Sequence, residues 1–408
     1  MAQELAVWLY GHVVATVESE RRRLRLRYTQ EALEGYPGGS PLLSLALPVS
    51  GVPFGSGVVR PFLEGFLPEG EPRRAIADEL GLRADDTFGL IRALGRDCAG
   101  AVVIQPVDDP APPPSTTTTA DPLTEDELSD LIANLRTAPL GANDRVRISL
   151  AGVQEKLLLT RLPDGRWGRP VDGTPSTHIL KPEIRGFPNT VENEAFCLRL
   201  ATHLGLPAAD AETAEVRGRA VIVVSRYDRL VEADGRVERI HQEDLCQAMG
   251  IPPVRKYQED GGPSLRNVAG ILAATDPGSL PTLLRAVVLH VLVGNGDAHG
   301  KNYSLLHDPS GALRMAPLYD IMSTLYYRDD RLAMHIDDVR RTDRVTTDRI
   351  LNEATSWGMS RRTASGIVGD LLPTVPEAVG RALAETPGVP DEIQHIVMSQ
   401  LDRLRTTA

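Results

Sequence analysis

A short stretch, residues 294–304, holds most of the polar side chains with which this sequence could do chemistry. It has the sequence G-N-G-D-A-H-G-K-N-Y-S and carries a carboxylate at Asp297 and an amide at Asn302. An aspartate can accept a proton as a general base, and carboxylate and amide oxygens are ligands that Mg²⁺ accepts. Between them, Lys301 could neutralise a phosphate, and His299 could brace the loop through hydrogen bonds. The stretch therefore has the parts of a site for phosphate chemistry.

Asp297 and Asn302 have the spacing D-x-x-x-x-N, which is that of the protein-kinase catalytic loop. The same spacing occurs by chance, and a polar loop after a helix is often only a solvated connection. A second acidic residue favours the catalytic interpretation. Asp320 directly follows residues 315–319, M-A-P-L-Y, which we expect to form a short buried strand. Because a kinase keeps its second magnesium ligand at such a place, we predict Asn302 and Asp320 as metal ligands.

Two lysines upstream could contact the phosphates of a nucleotide. Residues 178–181, H-I-L-K, predict a strand that ends in Lys181, either an edge charge or the lysine that contacts the α and β phosphates. Residues 149–156, S-L-A-G-V-Q-E-K, predict a tight loop between two strands. Its small residues, backbone amides and Lys156 could lie against phosphates, although a plain hairpin explains its single glycine as well.

Helix and strand patterns place these residues in a β-rich part that is followed by a helical part. Residues 4–28 predict antiparallel strands, residues 220–224 a buried strand, and residues 241–249 the start of a series of helices. We therefore predict an α+β, two-lobed protein-kinase-like fold. Its N-terminal lobe is β-rich and includes an extra N-terminal module, and its C-terminal lobe is all-α.

Within the β-rich part, a helix is predicted over residues 190–204. It carries Glu192 and Glu194, and either could pair with Lys181. The strand over residues 220–224 is followed by S-R-Y-D-R, where a kinase fold places the hinge for adenine.

The chain divides into four parts by composition and pattern. Residues 1–105 predict an α+β module of about a hundred residues, within the ordinary size of a domain. Residues 106–122 are rich in proline and threonine and predict a linker. Residues 123–229 are predicted to form the remainder of the N-terminal lobe, and residues 230–408 the helical C-terminal lobe. T-E-D-E (124–127) predicts a helix that begins with a capping box, and the apolar residues of 280–293 predict a helix before the polar stretch.

Composition excludes several classes of protein. The net charge of −11 over 408 residues argues against a general nucleic-acid-binding surface, although a local basic patch stays open. Three widely spaced cysteines indicate reduced thiols rather than zinc ligands. No signal peptide and no apolar run long enough to span a membrane is evident, so we expect a cytoplasmic protein.

Nine stretches in order along the chain resemble the HipA-type serine/threonine kinases, the toxins of bacterial type II toxin–antitoxin modules. No single stretch is decisive, but their order and joint presence make the resemblance specific. They are F-L-P-E-G (66–70), D-C-A-G-A (97–101), S-L-A-G-V-Q-E-K (149–156), H-I-L-K-P (178–182), E-N-E-A-F-C-L-R-L-A (192–201), S-R-Y-D-R (225–229), H-Q-E-D-L-C-Q-A-M-G (241–250), G-N-G-D-A-H-G-K-N-Y-S (294–304) and P-L-Y-D-I-M-S (317–323).

The resemblance implies a role for each part of the site. It implies Asp297 as the catalytic base, with Asn302 and Asp320 holding magnesium. It implies an ATP site formed by the phosphate loop, the strand lysine, the hinge and the catalytic loop: Ala151, Gly152, Val153, Gln154, Lys156, Lys181, Ser225, Tyr227, Asp228, His299 and Lys301. In the family, the serine that opens the phosphate loop is autophosphorylated, which disables the kinase; that position is Ser149 here. Ser225 stands where the family often has an acidic residue, so adenine contacts would depend on the backbone.

The resemblance also implies partners. These are a helix-turn-helix antitoxin (HipB-like), operator DNA only through that antitoxin, and a protein substrate, for which an aminoacyl-tRNA synthetase of glutamyl type is one candidate. Two other functions stay open at this point. The chain could act mainly as a co-repressor that binds an antitoxin, or it could transfer phosphate to a small molecule.

Overall fold

A computed structural model of the chain describes residues 3–135, 154–308 and 311–406. Within these ranges, no helix is long and apolar enough to cross a membrane. The predicted α+β, two-lobed architecture is confirmed, with an N-terminal module, a β-rich lobe and a mainly helical lobe.

The N-terminal module is built on a five-stranded antiparallel sheet of order β4-β3-β2-β1-β5. Its third strand shows why the sheet forms, because R-L-R-L-R-Y alternates exposed arginines with buried Leu24, Leu26 and Tyr28. The strands are β1 (Gln3–Leu9), β2 (His12–Glu20), β3 (Arg23–Tyr28), β4 (Phe54–Gly55) and β5 (Val103–Pro106). The helices that cover it are α1 (Gln30–Gly35), α2 (Ser56–Glu64), α3 (Gly70–Glu79) and α4 (Thr87–Leu94).

In its described residues, 121–135 and 154–225, the β-rich lobe contains a six-stranded sheet of order β10-β11-β9-β7-β8-β6 and two helices. Its central strands are apolar runs, and helix α6 packs on them with ten of its 14 residues buried. The strands are β6 (Asp121–Pro122), β7 (Leu157–Arg161), β8 (Trp167–Arg169), β9 (His178–Pro182), β10 (Ala211–Val216) and β11 (Arg219–Ser225). The helices are α5 (Glu125–Asn134), which begins with the predicted capping box of Thr124 and Glu127, and α6 (Thr190–His203).

The C-terminal lobe is mainly helical but, unlike the all-α lobe that we expected, it also contains small sheets. A hairpin, β12 (Arg229–Val231) with β13 (Val237–Arg239), leads into it. The further strands are β14 (His241–Asp244), β15 (Ser304–His307), β16 (Leu313–Met315), β17 (Arg331–Ile336) and β18 (Val339–Arg341). The helices are α7 (Leu245–Ala248), α8 (Leu265–Thr275), α9 (Leu280–Val293), α10 (Thr347–Ser356), α11 (Arg361–Leu371), α12 (Val375–Glu385) and α13 (Asp391–Thr406).

Two local predictions in this lobe are wrong. Residues 241–244 form a strand rather than the start of a helix, because they pair with Ser304–His307 directly after the catalytic loop. We predicted a strand over residues 315–319, but the strand ends at Met315 and does not continue through residues 316–319. Instead, Leu318 makes an isolated parallel bridge to Ala208.

The proline- and threonine-rich segment, residues 106–122, is held by backbone hydrogen bonds along its second half. The backbone amide of Thr117 donates to the carbonyl of Gly235, at 2.8 Å, and the carbonyl of Ser115 accepts from the amide of Val237, at 2.9 Å. Its last two residues form β6 and pair with β8. The segment connects the module to the lobe along a defined path.

A buried network of opposite charges joins the module to the segment S-R-Y-D-R. Asp97 of the module lies 3.0 Å from Arg229 and 3.5 Å from Arg226, and Arg226 in turn lies 2.8 Å from Asp228. Both arginines also donate to the carbonyl of Cys98. Burial alone would favour neutral carboxyls, but the arginines outweigh it and hold the pKa values of Asp97 and Asp228 below their usual range. The module is therefore held against residues 225–229, where a kinase would have its hinge, by oppositely charged side chains in a buried interface.

All three cysteines are buried as free thiols. Cys98 lies in the core of the module, Cys197 in α6 and Cys246 in α7. Burial raises the pKa of Cys98 to about 12, and it raises the pKa values of the other two thiols as well. They are protonated at neutral pH and function as packing residues.

Candidate active site

A pocket of about 640 Å³ lies where the module and the two lobes meet. Its wall combines residues from all three parts of the chain. The module contributes Gly65, Glu69, Glu71 and Ala99; the β-rich lobe contributes Gln154, Lys156, Ile179, Lys181, Glu194, Val224, Ser225, Tyr227 and Asp228; the C-terminal lobe contributes Asp244, Lys256, Tyr257, Asn295, Asp297, His299, Lys301, Asn302, Tyr319 and Asp320. The pocket thus collects most of the residues that the sequence singled out.

The catalytic loop is held by the end of a buried helix and by close backbone contacts. Helix α9 ends at Val293 and is capped by Gly294, whose φ of +64° is in the left-handed region that glycine adopts readily. Two residues on, a Cβ at Gly296 would lie 2.1 Å from the carbonyl oxygen of Arg331. The amide of Gly296 donates to the hydroxyl of Thr324, at 2.8 Å. The two glycines are needed because the loop turns sharply and then passes against a neighbouring chain segment.

The carboxylate of Asp297 is fixed on one side by hydrogen bonds. Its Oδ1 accepts from the hydroxyl of Tyr257, at 2.7 Å, and its backbone amide donates to the side chain of Asn295, at 2.9 Å. The side-chain amide of Asn302 donates to the backbone carbonyl of Asp297, at 2.9 Å. The D-x-x-x-x-N spacing therefore closes the loop on itself, and the amide oxygen of Asn302 is not used by this hydrogen bond.

The pKa values of the side chains in this loop are shifted mainly because protein atoms shield these groups from water. Burial raises the pKa of Asp297 to about 6, although its side chain is 49% exposed and accepts from Tyr257. His299 is buried, and its pKa falls to about 3, first through burial and then through the charge of Lys256. Its Nε2 lies 4.0 Å from Oδ2 of Asp297. A neutral imidazole thus stands beside a carboxylate whose pKa is close to that of a working base.

Lys181 joins two carboxylates at the opposite side of the pocket. Its ammonium lies 2.7 Å from Glu194 and 2.6 Å from Asp320. Burial opposes the charge on Lys181, but the two carboxylates outweigh it and raise its pKa. Of the two glutamates considered from the sequence, the structure pairs Glu194, while Glu192 lies near Gly388. This lysine and the glutamate of α6 have the arrangement of a kinase's phosphate-binding lysine and its helix glutamate.

Asp320 has an unusual backbone for an aspartate, with φ +56°. A residue other than glycine in the left-handed region costs about 1 kcal/mol or more, and such strain concentrates at functional sites. Its side chain is 42% exposed to the pocket, and the charge of Lys181 outweighs burial and lowers its pKa. Oδ1 accepts from Lys181, so Oδ2 is the oxygen that can meet a ligand.

Asn302 and Asp320 offer one amide and one carboxylate to a metal ion. Among the described residues, no group of three or more His, Cys, Asp or Glu side chains could hold a metal by itself. Two oxygen donors that line one pocket fit Mg²⁺, which keeps several waters and takes phosphate oxygens to complete its shell.

The predicted phosphate loop is described only at its end. Gln154 and Lys156 line the pocket. The pKa of Lys156 is lowered to about 8, first by burial and then by the charge of Lys181. The expectations for Ser149, Ala151, Gly152 and Val153 concern positions that lie outside the described residues.

The hinge residues lie at the pocket, but their polar groups are largely engaged. The amide of Ser225 donates to the carbonyl of Asp210, at 2.9 Å. The carboxylate of Asp228 accepts from Arg226 and from the amide of Gly100, within the buried network described above. Tyr227 presents its ring beside that of Tyr319, with centroids 5.7 Å apart. Asp228 thus faces the module interface, and the rings form the apolar part of this wall.

Lys301 also lines the pocket, but its ammonium is already paired with a carboxylate. It lies 2.5 Å from Asp244, the last residue of β14. The backbone carbonyl of Lys301 accepts from the hydroxyl of Tyr319, at 2.6 Å. In this state Lys301 holds the loop to the strand beside it.

Among the lining residues that were given no role from the sequence, Glu69, Lys256 and Tyr257 lie closest to the base through their contacts. Lys256 pairs with Glu69 of the module, at 3.3 Å, and Tyr257 donates to Asp297. The segment K-Y-Q-E-D-G-G-P carries few apolar residues and no metal-ligand spacing, so only its glycines and proline could have drawn attention to it, as a turn.

Comparison with known proteins shows the family to which the chain is similar. Residues 5–105 match the model of the HipA N-terminal domain, and residues 148–379 match the model of the HipA-like C-terminal domain. The chain is 39% identical to the putative kinase Y4mE of Sinorhizobium fredii, over 94% of this chain and 92% of that one. It is 30% identical to the serine/threonine-protein kinase toxin HipA of Shewanella oneidensis, over 90% of this chain and 86% of that protein.

A solved structure shows the same architecture. The toxin–antitoxin complex of HipA, HipB and operator DNA from Shewanella oneidensis MR-1 contains a chain that matches with a TM-score of 0.83 and 26% identity, covering 99% of this chain and 96% of that one. The two family models together span the module and both lobes. The chain belongs to the HipA family of serine/threonine kinases.

Proposed function

We propose that the chain is an ATP- and Mg²⁺-dependent serine/threonine protein kinase that acts as the growth-inhibiting toxin of a type II toxin–antitoxin system. The observation that carries this proposal is the convergence on one pocket of Lys181, Asp297, Asn302 and Asp320. A lysine held by a helix glutamate, a base and two oxygen donors are what phosphoryl transfer from a nucleotide needs, since catalysis there is mostly positioning and charge stabilisation.

In this proposal the β-rich lobe binds the nucleotide. Lys181 contacts the phosphates, and the loop from Ala151 to Lys156 lies over them. The rings of Tyr227 and Tyr319 support the base, whose polar edge meets the backbone near Ser225. Asn302 and Asp320 would hold magnesium, which would neutralise charge on the phosphates.

Asp297 then accepts the proton of the substrate hydroxyl as that oxygen bonds to the γ-phosphorus and the bond to ADP breaks. Its pKa of about 6 suits this role, because it is ionised at neutral pH yet still basic enough to take a proton. Asn302 supports the step by holding the backbone carbonyl of Asp297. His299 is neutral and braces the loop.

The finer parts of the proposal concern targets and partners. Autophosphorylation at Ser149 would place a doubly charged group in the loop that covers ATP, and this would compete with the nucleotide. A glutamyl-type aminoacyl-tRNA synthetase is the first substrate to test. The HipA of the Shewanella complex is bound with HipB and operator DNA. A HipB-like helix-turn-helix antitoxin, through which the chain would reach DNA, is therefore the partner that we propose.

The test is incubation of the purified chain with labelled ATP and Mg²⁺, with and without a glutamyl-tRNA synthetase. We expect label on Ser149 or on the synthetase, and none with Asp297→Ala. Equal labelling by the wild type and the variant, or no label on any protein, would contradict the proposal. Label on a metabolite but never on protein would indicate a small-molecule phosphotransferase instead.

A second function is favoured by the Shewanella complex, in which HipA takes part in an assembly on DNA. Here the chain would act chiefly as a co-repressor, with DNA contact supplied by the antitoxin. Repression of a reporter by the antitoxin, with wild-type chain or with Asp297→Ala, separates the two functions. Growth inhibition that survives in the variant would favour binding as the main activity.

A further inference from the structure

Tyr257 lies in a short segment that connects the N-terminal module to the catalytic loop. Its neighbour Lys256 pairs with Glu69 of the module, at 3.3 Å, and both side chains are mostly buried. The backbone carbonyl of Lys256 accepts from the amide of Gly300 in the catalytic loop, at 3.1 Å. The segment is thus fixed on both sides of the pocket.

From this segment, Tyr257 contacts the catalytic loop in two ways. Its hydroxyl donates to Oδ1 of Asp297, at 2.7 Å. Its ring packs edge-on against the imidazole of His299, with centroids 5.2 Å apart and an interplanar angle of 85°. The ring fixes where the hydroxyl lies, and the hydroxyl fixes one oxygen of the carboxylate.

We propose that Tyr257 is a positioning residue for phosphoryl transfer: by occupying Oδ1 of Asp297, it leaves Oδ2 as the oxygen that faces the substrate hydroxyl. This proposal rests on the proposed kinase function. It assigns to the segment a task in the reaction, and it makes the module, through Glu69 and Lys256, an indirect support of the base.

The physical reason lies in the freedom of an aspartate side chain. The terminal torsion of a carboxylate is broad and two-fold, so without a partner the two oxygens exchange places and the plane of the group swings. A proton acceptor must lie within hydrogen-bond reach of the hydroxyl, and a small displacement of a reacting group costs a large part of the rate. One hydrogen bond to an ionised group is strong enough to choose a single orientation.

Tyr257 is also suited to remain a donor. Burial, followed by the nearby charge of Asp297, raises the pKa of the phenol, so its proton stays in place throughout the neutral range. Phenylalanine at this position would keep the ring contact with His299 and remove only the donor. Tyr257→Phe is therefore a clean probe of the hydrogen bond.

The experiment compares Tyr257→Phe with Tyr327→Phe in the full chain. The hydroxyl of Tyr327 donates to the carbonyl of Pro188, away from the catalytic loop, so this variant controls for the loss of a phenol as such. Phosphate incorporation is measured at saturating Mg·ATP into the chain and into glutamyl-tRNA synthetase. ATP affinity is measured separately, by displacement of a fluorescent ATP analogue.

For Tyr257→Phe we expect the rate at saturating ATP to fall about 10- to 100-fold, since a charge-assisted hydrogen bond is lost. ATP affinity should stay within about twofold of the wild type, because Lys181 and the hinge are untouched. Tyr327→Phe should match the wild type in both. A rate for Tyr257→Phe equal to that of the control, or a loss that is all in ATP affinity, would overturn the inference.

A double variant distinguishes positioning from general support of the fold. In an Asp297→Asn background, Tyr257→Phe should lower the residual rate no further, because the group that it positions no longer acts as a base. An additional tenfold loss would mean a structural role and would overturn the proposal. If Asp297→Asn itself kept the wild-type rate, the proposed kinase mechanism would fail; if only Tyr257→Phe kept it, that mechanism would stand without this inference.

Discussion

The molecule has two clusters of oppositely charged side chains, one at the module interface and one in the pocket, and they differ in their access to ligands. At the module interface, Asp97 and Arg229 have side chains with no exposed surface and several partners each. In the pocket, Lys181 is buried to a similar degree, but its partner Asp320 keeps 42% of its side chain exposed. The first cluster is therefore closed to ligands. The second cluster is open, because a carboxylate oxygen of Asp320 is accessible to an incoming group.

The comparison shows why charge in a motif does not by itself mark a ligand site. S-R-Y-D-R stands where a kinase hinge belongs, and Asp228 was expected to contact the nucleotide. In the structure its carboxylate joins Arg226 and Arg229, and its pKa is lowered because these partners outweigh burial. A buried charge that has all its partners from the protein holds elements together; one with an open side can bind.

The largest effect should come from opening the closed cluster. Asp97→Asn keeps the shape of the side chain but leaves Arg229 and Arg239, each 3.0 Å from the carboxylate, short of a counter-charge in a dry interface. We expect the free energy of unfolding to fall by about 3–5 kcal/mol. Urea unfolding followed by circular dichroism measures it. A loss below about 1 kcal/mol would mean that this network is no more than a set of surface pairs.

The open cluster should respond in activity and not in stability. Asp320→Asn retains a residue type that tolerates the left-handed backbone, and Lys181 keeps Glu194 as its partner. Phosphate transfer should fall about 100- to 1000-fold, because a charged ligand to the phosphate and metal site is lost. Its urea midpoint should stay near that of the wild type. An equal loss of stability in this variant and in Asp97→Asn would erase the distinction between the clusters.

The pH dependence sharpens the contrast, since the pKa of Asp297 in the pocket is raised whereas the pKa of Asp97 in the closed cluster is lowered. Burial raises the pKa of Asp297 to about 6, so the base becomes protonated as the pH falls through that value. We expect kcat/KM to be level near neutral pH and to fall about tenfold per pH unit below about 6. The unfolding midpoint, monitored over the same range, should not follow this curve. If kcat/KM fell only at pH values near the ordinary aspartate pKa, this result would contradict the raised pKa of Asp297.

The smallest effect should come from an ion pair in neither cluster. Arg381 lies 2.5 Å from Glu377 one helical turn away on α12, and both side chains are largely exposed. Water and salt screen such a pair, so Arg381→Ala should change the free energy of unfolding by no more than about 0.5 kcal/mol. The same urea assay provides the control for Asp97→Asn. A cost comparable to that of Asp97→Asn would show that burial is not what separates these pairs.

Much of the scaffold could be predicted from the sequence because it depends on local patterns. The apolar run before the catalytic loop predicted the helix that ends at Val293, and T-E-D-E predicted the capping box of α5. The pairing of Lys181 with one of two glutamates was also predictable, because a strand and the next helix are neighbours. The strand at residues 241–244 was missed, since H-Q-E-D has no apolar alternation and its pairing with residues 304–307 is non-local.

The contacts that specify the site were beyond the sequence for the same reason. Tyr257 and Asp297 are forty residues apart, and nothing in the local pattern of either relates them. The hydrogen bonds of Asp228 depend on how the module docks, which no spacing within S-R-Y-D-R reveals. Residue types predicted the chemistry of the pocket, and only the tertiary structure shows which charged groups are already satisfied.

The three buried thiols can be used to detect local unfolding of the molecule. Cys98, Cys197 and Cys246 lie in the module, in α6 and in α7, and each thiol is both shielded and protonated in the folded state. A thiol reagent can modify one of them only while the surrounding element is transiently unfolded. The order in which the three are labelled would therefore rank the stability of the module, the β-rich lobe and the start of the helical lobe without any engineered probe.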